Sequence, residues 1–302
     1  MTALSILALA AALAAPPRGP LTLWYDRPAE YFEETLVIGN GRLGAAVYSG
    51  VEADRLSLND ITLWTGESDA GDSHPDMKRL AREKGGAPLQ KVRDLLAAED
   101  YPAAEKAQRG LQGHFSESYQ PLGTLYINYG GSGGEGFTRS LDLADAVATA
   151  VSGSRTVSYF ASSPDSAIVI RVEDPAGVHF SLDYDCPLPH EITRFADGFM
   201  VDGYAAWHAL PGYYNEVKEK FLYDPGRGIH FRTVVRTVYE SPCAATVYIT
   251  NATSFAGSHQ PPLKEYRNAA LRQSAEVMGV IDILLFAFFA LEDHPYVIMS
   301  QL

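Results

Sequence analysis

The sequence predicts a mainly β protein: a large antiparallel β-sandwich of two sheets carrying one small helical hairpin insertion. Three observations lead there. Aromatic and turn-forming residues are abundant, with 17 Tyr, 13 Phe, 26 Gly and 18 Pro among 302 residues, a balance that favours strands and turns over a helical bundle. Short runs of alternating apolar residues recur along the chain, separated by DPAG, ADG, DPGRG and SPC turns. Helical spacing is confined to one stretch, residues 75–112. With 46% apolar and 20% charged residues, the composition is that of a globular protein, long enough for one large or two small domains.

Taken in order, residues 1–14 read as a secretory signal peptide. An apolar run from Leu4 to Ala15 carries small residues at Ala12 and Ala14 and is followed by Pro16 and Pro17, although no Lys or Arg precedes it. The run is shorter than the roughly 20 apolar residues of a membrane helix. Secretion or delivery to a periplasm is expected, with no membrane span.

From Leu21 to Trp64 apolar residues fall at alternate positions, and Gly39-Asn40-Gly41 reads as a hairpin turn between two strands. Gly39 to Gly44 also spells the GxGxxG of a dinucleotide-binding turn. That motif needs a helix after the glycines, so that its N-terminus faces the pyrophosphate; here AAVYSGV continues as a strand. The nucleotide reading is set aside. In residues 75–112, Val92, Leu95 and Leu96 fall on one helical face and Ala103, Ala107 and Leu111 on the next, and Pro102 suits a helix start. Beyond Tyr119 strands return as TLYINY, AIVIRVE, VHFSLDYD, HFRTVVRTVY and AATVYIT. In Val178 to Asp185, alternation puts Val178, Phe180, Leu182 and Tyr184 on one face and His179, Ser181, Asp183 and Asp185 on the other. GGSGGEG, residues 130–136, reads as a loop.

The net charge of −13 argues against a nucleic-acid partner, which binds through clustered Lys and Arg. The eight His show no HxH or HExxH spacing, and His190-Glu191 stands in a Pro-bounded loop. No metal or cofactor is expected. Asp69, Asp72 and Asp76 lack the full pattern of a calcium loop. Asp183 and Asp185 share a strand face, as paired glycosidase carboxylates must, yet that face is the solvent face of an amphipathic strand. No GxSxG elbow is present, and Asn251-Ala252-Thr253 is a glycosylation sequon by letters alone. Two cysteines, Cys186 and Cys243, exclude a disulfide framework and leave two readings, a single bridge or two small buried thiols.

Residues 23–67, LWYDRPAEYFEETLVIGNGRLGAAVYSGVEADRLSLNDITLWTGE, resemble the opening of glycoside hydrolase family 95, the inverting α-L-fucosidases. KVRDLLAAEDYPAAEKAQRGLQG, SYQPLGTLYINY, RSLDLADAVATA, YFASSPDSAIVIRV and TNATSFAGSHQPP follow in the order of that family. The resemblance implies that residues 21–262 form the family's N-terminal super-sandwich, and that the ligand is a fucosylated oligosaccharide or polysaccharide, or a related L-galactosyl one. It also implies that the sandwich packs on a separate (α/α)6 barrel holding the catalytic groups. Inverting hydrolysis needs an acid and a water-activating group opposed across the bond, roughly 6.5 to 9.5 Å apart. Residues 263–302 read as the start of a linker and an atypical apolar tail without barrel motifs. No catalytic residue is therefore assigned, and this chain alone is expected to be inactive. Within LNDITLWTG, Asn59, Asp60 and Trp64 are the candidates for a substrate rim, since polar groups beside an indole suit a sugar. The competing role is structural, because Asn and Asp end strands and Trp fills cores. The alternative function is a non-catalytic carbohydrate-binding or interaction module.

Overall fold

The computed structural model describes residues 21–67, 86–111, 116–131, 134–213 and 218–256. The expected signal peptide, the linker and apolar tail, and Asp69, Asp72 and Asp76 lie outside the described residues. The chain begins with β1 (Thr22–Tyr25), β2 (Leu36–Gly39), β3 (Leu43–Val47) and β4 (Ala53–Asp60), followed by helices α1 (Ala87–Ala97) and α2 (Tyr101–Gln108). Next come β5 (Gly123–Asn128), β6 (Phe137–Asp142), β7 (Val147–Ser152), β8 (Arg155–Ser162), β9 (Ala167–Glu173) and β10 (Ser181–Asp185). The last are β11 (His190–Phe195), β12 (Gly198–Tyr204), β13 (His208–Ala209), β14 (Phe221–Leu222), β15 (His230–Ser241) and β16 (Ala244–Thr253). A nine-stranded sheet in the order β1-β6-β7-β8-β9-β16-β15-β12-β11 faces a five-stranded sheet in the order β10-β5-β4-β3-β2, and β13 pairs with β14. The expected antiparallel sandwich is present.

Period-two alternation builds the core. Leu125 and Ile127 of β5 meet Tyr159, Ile168, Ile170, Val247 and Ile249 from the larger sheet in one apolar cluster. The GxGxxG letters serve the β2–β3 hairpin. Asn40 Oδ1 accepts from the N–H groups of Arg42 (3.0 Å) and Leu43 (2.8 Å), while its Nδ2 donates to the Ser162 carbonyl of the opposite sheet at 2.8 Å. Gly41 takes φ +91 in that turn, a conformation costly for any residue with a Cβ. On β6, the buried Arg139 donates to the carbonyls of Arg27 (2.8 Å) and Glu34 (2.7 Å) and lies 4.2 Å over the Tyr25 ring. It thereby ties the segment between β1 and β2 to the sandwich.

The inward face of β4 is unusual. Asp54, Leu56, Leu58 and Asp60 are all buried and share one parity, so an acid stands at each end of an apolar pair. Asp54 Oδ1 accepts from the N–H groups of Gly50 (3.0 Å) and Arg55 (2.7 Å), and Oδ2 accepts from the Tyr159 hydroxyl of β8 at 2.5 Å.

Some expectations need correction. The helical hairpin forms, with Pro102 in the first turn of α2 and Asp100 capping it by accepting from Ala103 N at 3.1 Å. Leu96, however, is exposed. Among the described residues α1 packs on α2 and on the turn Arg109–Leu111 that follows it, which leaves Val92 buried and Leu96 uncovered. His190 and Glu191 begin β11 instead of standing in a loop, because they pair with Gly203 and Asp202 of β12. Neither cysteine reading holds in full. Both thiols are free, Cys186 buried and Cys243 exposed. Cys186 donates to the Leu122 carbonyl and Cys243 to that of Pro175, so they lie against different parts of the fold. Asp183 and Asp185 do lie on the exposed face of β10, where Asp183 pairs with Arg194 at 3.0 Å.

Two outcomes follow from these environments. Burial pushes the Cys186 thiol up to about 11, so a thiol-specific disulfide reagent is expected to label one cysteine, Cys243, in the native protein and both after unfolding. Two fast-reacting native thiols would contradict this. For Asp54, burial is the largest influence and raises its pKa, with hydrogen bonds from Tyr159 and backbone N–H groups opposing it. A raised folded-state pKa means the folded chain binds this proton more tightly than the unfolded chain. Its contribution to stability is complete below the ordinary carboxylate value and is lost as pH rises through the folded-state value. Asp54→Asn is expected to flatten that part of the profile of denaturation midpoint against pH; an unchanged slope would exclude Asp54 as its source.

Candidate functional site

Where β4 ends, the chain folds back through an Asp-anchored turn. Asp60 Oδ1 accepts from the backbone N–H of Thr62 (2.9 Å) and from its hydroxyl (2.6 Å), as Asp does in turns of this kind. Asp60 Oδ2 accepts from Asn251 Nδ2 of β16 at 2.7 Å and lies 3.6 Å from Arg42 Nε. Asn251 Oδ1 in turn accepts from the Thr233 hydroxyl of β15 at 2.9 Å. The Thr62 and Thr253 hydroxyls meet at 2.6 Å; since Thr62 gives its proton to Asp60, Thr253 is the donor of that pair. Every polar atom of the Asp60 carboxylate is engaged, and the residue is 0% exposed. Asn251 is buried in the same network, so the sequon is closed to glycosylation in the folded protein.

The turn delivers Trp64 to a bridge with Tyr119, strengthened by Thr65 N donating to Ser118 O at 2.8 Å. Trp64 is 43% and Tyr119 39% exposed, and their rings meet edge-on with centroids 5.5 Å apart. The Trp64 indole N–H is spent on the Ile61 carbonyl at 2.9 Å, which fixes the ring plane. The Tyr119 phenol is pushed up to about 12, chiefly by burial and then by the negative charge of Asp60. Asn59 is exposed on the opposite parity of β4, its side chain lying over Gly44 of β3. The three residues singled out in the sequence therefore share one corner of the sandwich but face differently. Asn59 and Trp64 reach the surface, and Asp60 lies wholly beneath it.

A second half of this corner escaped sequence reading. Glu117 Oε2 accepts from the Thr65 hydroxyl (2.5 Å) and from Ala209 N (3.2 Å), and Oε1 contacts His208 Nδ1 at 2.9 Å. Gly66 adopts φ +95, and a Cβ there would stand 2.6 Å from Glu117 Cγ; glycine is required on both counts. Glu67 accepts from Arg227 Nε at 2.7 Å and from Gly228 N at 3.0 Å. The Arg227 guanidinium lies 3.6 Å over the Trp207 ring, and Trp207 neighbours His208 with centroids 5.7 Å apart. Glu117 and His208 are 91 residues apart in the chain, so no local spacing announces their pairing. A usable signal was the Thr65-Gly66-Glu67 triplet directly after Trp64.

Chemically, Asp60 and Glu117 accept protein hydrogen bonds at both oxygens and hold geometry in place. Among the described residues, no three of His, Cys, Asp and Glu gather as metal ligands, and no helix is long and apolar enough to cross a membrane. A family model described as the N-terminal domain of glycosyl hydrolase family 65 matches residues 23–256. The chain belongs to that family. The matched span includes both sheets, the helical hairpin and the whole corner around Asp60, Trp64, Glu117 and His208. Alpha-L-fucosidase 2 of Arabidopsis thaliana is 29% identical over 234 residues, which is 72% of this chain and 26% of that protein. The chain thus spans about a quarter of the length of that relative, and the similarity supports a glycosidase-like N-terminal module.

Removing Asp60 tests the corner. Asp60→Ala leaves Asn251 Nδ2 buried without an acceptor, also removes the acceptor of the half-buried Thr62 N–H, and is expected to lower the unfolding free energy by about 3 kcal/mol. Asp60→Asn is expected to move the Tyr119 phenol down from about 12 while leaving it above the ordinary tyrosine value, because burial is the larger cause. Urea denaturation and an NMR titration of Tyr119 read the two effects; no change in either would show that Asp60 is not the anchor.

Proposed function

We propose that this chain is the N-terminal sandwich module of an exported inverting glycosidase of the α-L-fucosidase type, glycoside hydrolase family 95, acting on terminal L-fucosyl or related L-galactosyl linkages. The observation that carries this reading is the similarity to alpha-L-fucosidase 2 across 72% of the chain, in company with the family-like stretch from Leu23 to Glu67. Residues 1–14 direct export in this account, and a following (α/α)6 barrel carries out the cleavage.

The module frames the glycan and does not cut it. An inverting site needs two carboxyl groups opposed across a bond with space for a water, whereas Asp60 and Glu117 have both oxygens taken by protein donors. Asn59 and Trp64, with Tyr119, form the rim that meets the sugar, and Asp60 supports that rim from below. The exposed Trp64–Tyr119 pair also favours a second reading, a carbohydrate-binding module that works without cleavage, since aromatic rings suit the C–H faces of sugars.

Residues 15–302 can be assayed for release from a fucosyl chromogenic substrate and, by calorimetry, for binding of a fucosylated oligosaccharide. Absence of turnover, together with saturable binding that Trp64→Ala removes, is the expected result. Turnover clearly above buffer would contradict the division of labour, and binding untouched by Trp64→Ala would remove the rim.

A further inference from the structure

We propose that His208, held by Glu117, is a recognition residue that accepts a hydrogen bond from a hydroxyl of a neutral glycan at the Trp64 corner; this rests on the reading of the module as glycan-framing.

The Glu117 carboxylate is the anchor of this site. It accepts the Thr65 hydroxyl at 2.5 Å and Ala209 N at 3.2 Å, and His208 Nδ1 stands 2.9 Å from its other oxygen. A carboxylate acting as acceptor has no proton to give, so Nδ1 carries the hydrogen of this contact. In the neutral ring the lone pair then resides on Nε2. Among the described residues Nε2 has no protein partner, and the His208 side chain retains 16% exposure. In its neutral form the imidazole is thus held in one tautomer and one orientation by Glu117, with Nε2 as its single acceptor.

Several segments are arranged to hold this one ring. Thr65 comes from the turn after β4, Glu117 from the segment before β5, and Ala209 from β13. The close approach of Gly66 to Glu117 leaves no room for a side chain. Trp207 lies beside the imidazole and is itself covered by Arg227, which Glu67 secures. A group immobilised in advance loses little entropy when it binds. Trp64 and Tyr119 adjoin the same residues, one position before Thr65 and two after Glu117. A fixed acceptor and exposed aromatic rings, tied together through the Thr65 and Glu117 segments, match a sugar, with hydroxyls at its edge and C–H groups on its face. The net charge of −13 opposes anionic sugars, which selects a neutral glycan.

The test uses the full chain with fucosyllactose as the neutral probe and sialyllactose as the acidic one, read by calorimetry and by NMR of 15N-labelled histidine. Wild type is expected to show the Nδ1–H tautomer at His208, a shift of the His208 Nε2 resonance on adding fucosyllactose, and weaker binding of sialyllactose. His208→Ala is expected to weaken fucosyllactose binding about tenfold, the scale of one lost hydrogen bond, and His208→Gln, which restores an acceptor, to recover part of it. Glu117→Gln is expected to loosen the tautomer and weaken binding while the chain stays folded. Binding that Trp64→Ala removes but His208→Ala leaves unchanged, or an Nε2 resonance indifferent to saturating sugar, overturns the inference alone. Wild-type protein that binds no fucosyllactose overturns it together with the glycan-framing reading.

Discussion

Two buried carboxylates, Asp54 and Asp60, stand at the ends of the inward face of β4, and the sandwich depends on both being answered from the opposite sheet. A carboxylate taken out of water costs several kcal/mol unless hydrogen bonds replace its hydration. Tyr159 of β8 answers Asp54, and Asn251 of β16 answers Asp60. Between them, Leu56 and Leu58 fill the apolar core. This row fixes the register of β4. A slip of one residue would turn both acids to solvent and bring Arg55, Ser57 and Asn59 into the core, so the acids and the leucines specify the same alignment.

The surface corner inherits its precision from Asp60. Its Oδ1 closes the turn through Thr62, and that turn sets where Trp64 meets Tyr119. From Thr65 to Glu67 the chain then fastens two further segments, Glu117 with His208 on one side and Arg227 with Trp207 on the other. Buried charge and exposed aromatic rings are therefore successive links of one connected network, in which the charge supplies position and the rings supply a contact surface. That arrangement is what the proposed glycan-framing role requires of this corner.

Much of the fold was legible because strand alternation is a local property. AIVIRVE is β9 residue for residue, Gly39-Asn40-Gly41 is the hairpin, and Pro102 marks the start of α2. The same alternation bears on the acids: Asp60 has the parity of Leu56 and Leu58, which places it inside, and Asp54 shares that parity. Reading Asp60 as a turn former was compatible with its surroundings, but its sidedness came from the strand. Leu96 of α1 lies on the apolar stripe and is nonetheless exposed, because helical periodicity marks such a stripe without saying how much of it a partner covers. The pairing of Glu117 with His208 was beyond local reading, since it exists only after β13 and the Thr65 turn are brought together by the fold. The cysteines were undecidable from count alone, because a bridge is a matter of distance and orientation.

Asp60 and Asn251 act as one bolt between the sheets. A double-mutant cycle on unfolding free energy, using Asp60→Ala, Asn251→Ala and the pair, tests it most directly. The account predicts a coupling of about 1 kcal/mol or more, because each single change strands the other partner in the interior. Strictly additive losses would mean the two side chains stabilise the sandwich independently, and the bolt would not exist.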